Sequence, residues 1–339
     1  MIIDLTILEN ICNLKCKYCR GCFGYDKTER RIGDNISLNY DSFKELSLNP
    51  FIKDHFVSVN KNHFISIYEI SKSIISTLKV IEQSIPITSL KVSGGEIFIF
   101  PEIIDSISKS AFRNKKIKIL SNGTLLSKTD ILGWKKVIPD LTVQFSLDGI
   151  DSSTNSNRTN SEKTTNKIKT LIAELANCKI PVEINTVLSK QSIDGFLDLL
   201  DWLLYLDNDF IVYPRLVRNM NNSDIFPTNV QISDFIKSMH ILDKKKRNLF
   251  ISESYIARLT NSFINVKKTN CIVPENVLAV SLSGNINHCT IGGTPLLGNI
   301  FTNPNLLHQV LHKECSLPSN CWNVCNTCIS EYDIFNFNN

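Results

Sequence analysis

The chain has 339 residues, 42% of them apolar, a formal net charge of +4 and eleven cysteines. That length buries one large core or two smaller ones, which predicts a catalytic domain with a smaller appended one. So small a charge gives no argument for nucleic acid or an anionic membrane as partner, although it helps to hold an acidic small molecule.

No apolar run reaches the length of a membrane span, and Met-Ile-Ile-Asp-Leu-Thr lacks the basic start of a signal peptide. The expectation is a cytoplasmic protein. Its cysteines gather at the two ends with only Cys178 between them. In a reducing compartment that distribution points to metal ligands, one site per end, rather than disulfides.

In chain order, Leu5, Ile7 and Leu8 predict a short strand over Asp4 to Asn10. It delivers the loop Cys12-Asn13-Leu14-Lys15-Cys16-Lys17-Tyr18-Cys19, a C-x-x-x-C-x-x-C triplet. Three thiolates on one loop can share a soft metal centre, and an iron–sulfur cluster normally takes four protein sulfurs. Three leave one iron open to bind and activate a small molecule, as catalytic zinc keeps one position open. Half of a zinc site is the plainer alternative. Cys22 would close the cluster if it ligated, and is read as a bystander or a thiol beside the site. The spacing, with aromatic Tyr18 before the last cysteine, resembles the signature of the radical S-adenosylmethionine (radical SAM) superfamily.

Residues 21–63 carry mixed signals and no assignable chemistry; a segment of that length suggests a lid or a substrate-contacting insertion. Ile67, Ile70, Ile74, Leu78 and Ile81 recur at helical spacing, predicting a helix from Phe64 to Gln83 that Pro86 ends. Ile87 to Ser93 reads as a strand running into Gly94-Gly95-Glu96. Paired glycines let backbone approach a ligand, and the acid can accept hydrogen bonds from an ammonium group. An ordinary strand-to-helix turn has the same composition. The triplet resembles the radical SAM Gly-Gly-Glu-Pro motif, with Ile97 in place of proline, and that resemblance implies contact with the amino group of SAM.

A helix over Pro101 to Arg113 leads to the strand Lys116 to Leu120 and the turn Ser121-Asn122-Gly123. A helix over Asp130 to Ile138 then leads to the strand Leu141 to Leu147, which ends in Ser146-Leu147-Asp148-Gly149. These two strand ends resemble those of radical SAM enzymes with extra cluster-binding domains, where Arg158 falls at the spacing of a following arginine. The likeness implies that Asn122, Ser146, Asp148 and Arg158 contact SAM or order its pocket; a plain turn at Asp148-Gly149 is the alternative. After a helix over Lys163 to Asn177, the strand Pro181 to Leu188 puts Glu183 and Asn185 on one face, with Asn185 nearer the mouth and read as facing SAM or substrate. A helix over Ile193 to Leu206 and the strand Phe210 to Leu216 complete six βα units. Arg215 ends the last strand, suited either to a carboxylate or to a surface salt bridge. The expected fold is α/β: a partial, TIM-like (β/α)6 barrel with its binding loops at the carboxyl ends of the strands. No catalytic residue is assigned.

Helices are expected near Ser233 to Leu242 and Ser254 to Ile264, with the basic run Lys244 to Arg247 read as a solvated helix end. The tail then carries Cys271, Gly284, Cys289, Cys315, Cys321, Cys325 and Cys328, with Val277 to Leu282 and Ile286 to Cys289 reading as a hairpin. This pattern resembles the SPASM domain, or its shorter twitch relative, an auxiliary-cluster module of radical SAM maturases. His312 stands where that pattern has a cysteine, and the last cysteine follows Cys325 after only two residues. The resemblance implies one or two auxiliary [4Fe-4S] clusters, for two of which His312, Cys315, Cys321 and Cys328 would hold one and Cys271, Cys289 and Cys325 the other. A zinc ribbon is the alternative. The expected domains are a core over 1–218, a linker and helical segment over 219–265, and a small Cys-rich auxiliary-cluster domain over 266–339.

The resemblance implies an enzyme in which an N-terminal [4Fe-4S] cluster reductively cleaves SAM to a 5′-deoxyadenosyl radical that abstracts a substrate hydrogen. It would draw electrons from an external donor such as flavodoxin or ferredoxin. Oxidative maturation of a peptide or protein is the leading expectation. Dehydrogenation or epimerisation of a small sugar-derived or natural-product substrate is the first alternative, and a non-catalytic iron–sulfur or zinc scaffold the second.

Overall fold

The computed structural model describes residues 1–8, 10–19, 29–217, 224–264, 277–287, 296–303 and 305–310. Strand β1 (Ile2–Ile7) is followed by β2 (Arg30–Ile32), β3 (Asn35–Leu38), helix α1 (Tyr40–Leu46), β4 (Val57–Val59), β5 (Asn62–Ser66) and α2 (Ile67–Ser84). The βα succession continues through β6 (Ser89–Gly94), α3 (Pro101–Ser108), β7 (Lys116–Ser121), α4 (Lys128–Val137), β8 (Leu141–Ser146), α5 (Glu162–Asn177), β9 (Val182–Leu188), α6 (Phe196–Tyr205) and β10 (Phe210–Leu216). Helices α7 (Asn229–His240), α8 (Lys244–Arg247) and α9 (Glu253–Ile264) come next. Strands β11 (Val277–Ser281), β12 (Asn285–Asn287) and β13 (Leu296–Asn299) and helix α10 (Leu306–Val310) follow them. No helix among the described residues is long and apolar enough to cross a membrane.

One sheet runs β10-β9-β8-β7-β6-β1-β11-β12-β13, parallel from β10 to β11 and antiparallel beyond. Six βα strands therefore sit side by side in chain order, as the alternating pattern requires. A seventh parallel strand, β11, lies against β1 with Ile2 opposite Val277. The segment 277–287 thus belongs to the main sheet, and its β11–β12 hairpin has the expected antiparallel pairing.

The two faces of the sheet differ in chemistry. Leu5, Val92, Ile119, Phe145, Ile184 and Val212 alternate onto the face that packs with Ile70, Ile74 and Leu78 of α2 and the apolar stripes of the other helices. The opposite face is polar and concave. Lys118 of β7 lies 5.0 Å from the ring centre of Tyr213 on β10, whereas three strand steps in a flat sheet span about 14 Å. Only strong curvature brings those side chains together.

Helix α2 starts where the Ser66 side chain accepts from the Glu69 N–H, and stops at Ile85, whose extended conformation suits a residue before proline. The helix expected over Pro101 to Arg113 is in fact two pieces. Helix α3 ends at Ser108, and the Ser110 side chain then caps a separate 3-10 turn over Ala111–Asn114. Residues 30–66 form a four-stranded antiparallel sheet, β2-β3-β5-β4, with α1 beside it, so Phe64 to Ser66, expected to open the helix, end a strand instead. Arg31 pins this sheet to the barrel by a two-pronged contact with Glu102 and a 2.6 Å bond to the Ile99 carbonyl.

Candidate active site at the cysteine loop

The cysteine loop leaves β1 through Leu8, whose φ of 46° turns the chain out of the strand. Two backbone bonds then hold the approach to Cys12: Gly95 N–H donates to the Leu8 carbonyl (3.3 Å) and Glu96 N–H to the Ile11 carbonyl (2.9 Å). The Gly-Gly-Glu triplet therefore braces the cysteine loop directly. Gly94 has its own steric reason: a Cβ there would lie 1.9 Å from the Ile7 carbonyl oxygen, so only glycine lets β6 close on β1.

The Glu96 side chain is buried and committed. It accepts from Phe98 N–H (3.1 Å), the Ser121 hydroxyl (2.9 Å) and Asn122 N–H (2.7 Å). Burial pushes its carboxyl pKa upward, and those donors work against the shift. Its partner Asn122 reaches the other way, with Nδ2 3.8 Å from the Cys12 sulfur and 2.8 Å from Asn13 Oδ1. Thr124 closes the set by bonding both Asn122 Oδ1 and Asn13 Nδ2.

The far side of the loop is held by Asp148. Its Oδ2 accepts the Tyr18 hydroxyl, and its Oδ1 accepts from Arg158 Nη2 (2.8 Å) and the Val187 backbone N–H (2.9 Å). One buried carboxylate thus joins the cysteine loop, the segment after β8 and the end of β9. Arg158 also lies over the Tyr18 ring, 5.4 Å from its centre, and Lys17 N–H donates to the Asn157 carbonyl at 2.7 Å. Burial raises the Tyr18 pKa well above its usual value despite Arg158, so the phenol stays protonated and donates. Burial is the largest influence on Arg158 and opposes its charge, but Asp148, Tyr18 and Cys16 together outweigh it, and the guanidinium is held charged.

The three thiols stand on this braced loop, half-buried and outside any disulfide. Cys19 N–H bonds the Cys16 carbonyl at 3.0 Å, a turn that folds the C-x-x-C half back on itself. Burial raises the Cys12 pKa, opposed by the Leu14 N–H, and pushes Cys16 up to about 11, opposed by Arg158. Cys19 acts electrostatically on Cys12 and on Cys16, and Cys12 on Cys16, while no three His, Cys, Asp or Glu side chains among the described residues form a single-ion metal site. A polynuclear cluster takes its thiolates on separate irons, so three cysteines of one loop can share it. Cys12 already carries N–H donors to sulfur, Leu14 at 3.4 Å and Asn122 at 3.8 Å, the kind of hydrogen bonding that supports cluster thiolates. The donor set fits a three-thiolate iron–sulfur site.

Ser146 at the end of β8 lies in register with Asn185 midway along β9. Asn185 Oδ1 is buried without a hydrogen-bond partner among the described residues. Glu183 on the same face lies deeper, paired with Lys118 (2.7 Å) and accepting from Gln144 (3.1 Å), while Lys91 pairs with Asp4 at 3.3 Å. Arg215 is half-buried and close enough for its charge to act on Lys118 and Tyr213. Cys22, Cys271, Cys289, His312, Cys315, Cys321, Cys325 and Cys328 lie outside the described residues. Sequence reading gives no role to Asn13 or Thr124 and does not show the anchoring role of Tyr18; Ser121 is visible only as part of the Ser121-Asn122-Gly123 turn, and Tyr18 only by its aromatic character.

No protein-family model matches the chain. A curated relative, neomycin C epimerase of Streptomyces fradiae, is 26% identical over 201 residues, 55% of this chain; the match spans 64% of the relative's length. Among solved structures, Streptococcus suis SuiB bound to S-adenosylmethionine superposes with a TM-score of 0.55 at 15% identity, covering 96% of this chain and 71% of SuiB. The protein anSMEcpe with bound AdoMet gives 0.56 at 17% identity, covering 96% and 85%. The described residues share that architecture, so the chain has the fold of these S-adenosylmethionine-bound neighbours, a partial (β/α)6 barrel.

Proposed function

We propose that the chain is a radical SAM enzyme in which Cys12, Cys16 and Cys19 hold a [4Fe-4S] cluster and the neighbouring strand ends hold SAM. The observation that carries this reading is the Cys12 sulfur, which receives two N–H donors on a loop braced by Glu96 on one side and Asp148 on the other. When bound, cluster and SAM together supply reductive cleavage to a 5′-deoxyadenosyl radical and removal of a substrate hydrogen. The chain's own role is to place and shield that chemistry. Glu96 and Asn122 fix the Cys12 side, Asp148 and Tyr18 fix the Cys16–Cys19 side, and SAM is held at the strand ends by Gly95 and Ser146 with Asn185 deeper on β9. Electrons come from an external flavodoxin or ferredoxin, and the reducing cytoplasm keeps the thiols available.

Oxidative maturation of a peptide is supported by two fold neighbours in peptide-bound structures, anSMEcpe with the Cp18Cys peptide and SuiB with precursor peptide SuiA. The second reading, epimerisation or dehydrogenation of a sugar-derived small molecule, is favoured by the neomycin C epimerase relative. In either case residues 266–339, whose β11–β12 hairpin joins the main sheet, serve as a SPASM-like module in which the tail cysteines and His312 hold one or two auxiliary clusters. The test is anaerobic reconstitution followed by assay for 5′-deoxyadenosine. Full iron loading without SAM cleavage would favour the scaffold reading. Iron counts on the Cys12/Cys16/Cys19 triple-alanine variant report the tail, about four irons for one auxiliary cluster and about eight for two.

A further inference from the structure

Arg158 is more deeply engaged than a loop anchor needs. Its side chain is 6% exposed, it pairs with Asp148, and it covers the Tyr18 ring one residue before Cys19. Its Nε is buried without a hydrogen-bond partner among the described residues. A buried guanidinium donor left unpaired is costly, and its usual resolution is an acceptor that arrives with a ligand. The residue before Arg158 is also tied to the loop, since Lys17 N–H, between Cys16 and Cys19, donates to the Asn157 carbonyl at 2.7 Å.

We infer that Arg158 is a positioning cation for the metal group on the cysteine loop, held by Asp148 so that its charge raises that group's reduction potential. The physical step is direct. Adding an electron to a cluster makes the site more negative, so a fixed cation nearby favours the reduced form and a fixed anion disfavours it. Asp148 has two effects of different kind: it fixes Arg158 and Tyr18 in place, and it cancels some of the arginine's charge. Removing the cation and removing the anion should therefore move the potential in opposite directions, which a purely structural clamp would not do.

This inference rests on the cluster reading above. The test uses the full chain, reconstituted anaerobically as wild type, Arg158→Met, Arg158→Lys and Asp148→Asn, with iron and sulfide counted for each. Redox titration followed by electron paramagnetic resonance reads the potential, and the Cys12/Cys16/Cys19 triple-alanine variant identifies which signal belongs to the cysteine loop. Arg158→Met is expected to shift that signal's potential downward, Asp148→Asn upward, and Arg158→Lys to stay near wild type. Shifts of the same sign in Arg158→Met and Asp148→Asn, or no shift in either, overturn the inference. Should Arg158→Met fail to take up iron, the Asp148→Asn shift alone decides by its sign. Loss of iron in both leaves a structural clamp only and overturns it as well. Absence of the loop's cluster from the wild type overturns the cluster reading itself, and is told apart because no variant is involved.

Discussion

The Glu96 carboxylate accepts the Asn122 backbone N–H at 2.7 Å, so one buried acid ties the end of β6 to the end of β7 beneath the cysteine loop. Glutamine at this position has one accepting oxygen and one donating nitrogen, facing Phe98 N–H, Ser121 hydroxyl and Asn122 N–H. At least one backbone donor then meets another donor. Glu96→Gln is expected to destabilise the fold by about 1–3 kcal/mol and to lower iron uptake. Urea denaturation and iron analysis read both, and an unchanged midpoint would contradict the bracing role.

Asn122 reaches in from the end of β7 and donates toward the sulfur of Cys12. Asn122→Ala removes that donor and the bond to Asn13 together. Loss of an outer hydrogen bond of this kind typically weakens metal binding by roughly 10–100-fold. The expected outcome is faster stripping of iron by a chelator, with near-normal circular dichroism.

Gly94 and Gly133 make a matched steric pair. At Gly94 an added Cβ meets backbone oxygen of Ile7 at 1.9 Å, while at Gly133 in α4 it meets nothing within 4 Å. Gly94→Ala has to push hydrogen-bonded parallel strands apart and is expected to cost about 3 kcal/mol. Gly133→Ala is expected to stabilise by roughly 0.5–1 kcal/mol, the helix propensity difference. Thermal melts of the two variants should move in opposite directions.

Lys118 and Glu183 cross the concave face, bonded at 2.7 Å with the lysine 4% exposed. Burial, aided by the charges of Lys91 and Arg215, lowers the Lys118 pKa, and Glu183 opposes it. Removing the lysine alone leaves Glu183 charged beside Gln144, and Lys118→Met is expected to cost about 3–5 kcal/mol. The double variant Lys118→Met, Glu183→Met should recover much of that loss. A double-mutant cycle in denaturant measures the coupling, and simple additivity would refute it.

The sequence alone determined the order of six βα units, because apolar residues alternate along the strands and recur every three to four along the helices. It also determined the cysteine spacing and the position of the glycine pair, since both are matters of adjacency along the chain. The folded sheet in the 21–63 segment was not legible, as short antiparallel strands such as Val57–Val59 carry too few residues to show a period. Nor was the placement of Val277–Ser281 beside Ile2–Ile7, which depends on a contact spanning most of the chain. Tertiary structure also decided what the acids do. Glu96, Asp148 and Glu183 look alike as letters, but burial and the donors around each make the first a brace, the second a clamp and the third half of an interior ion pair. Such roles are set by which groups meet across strands, and no local pattern encodes that meeting.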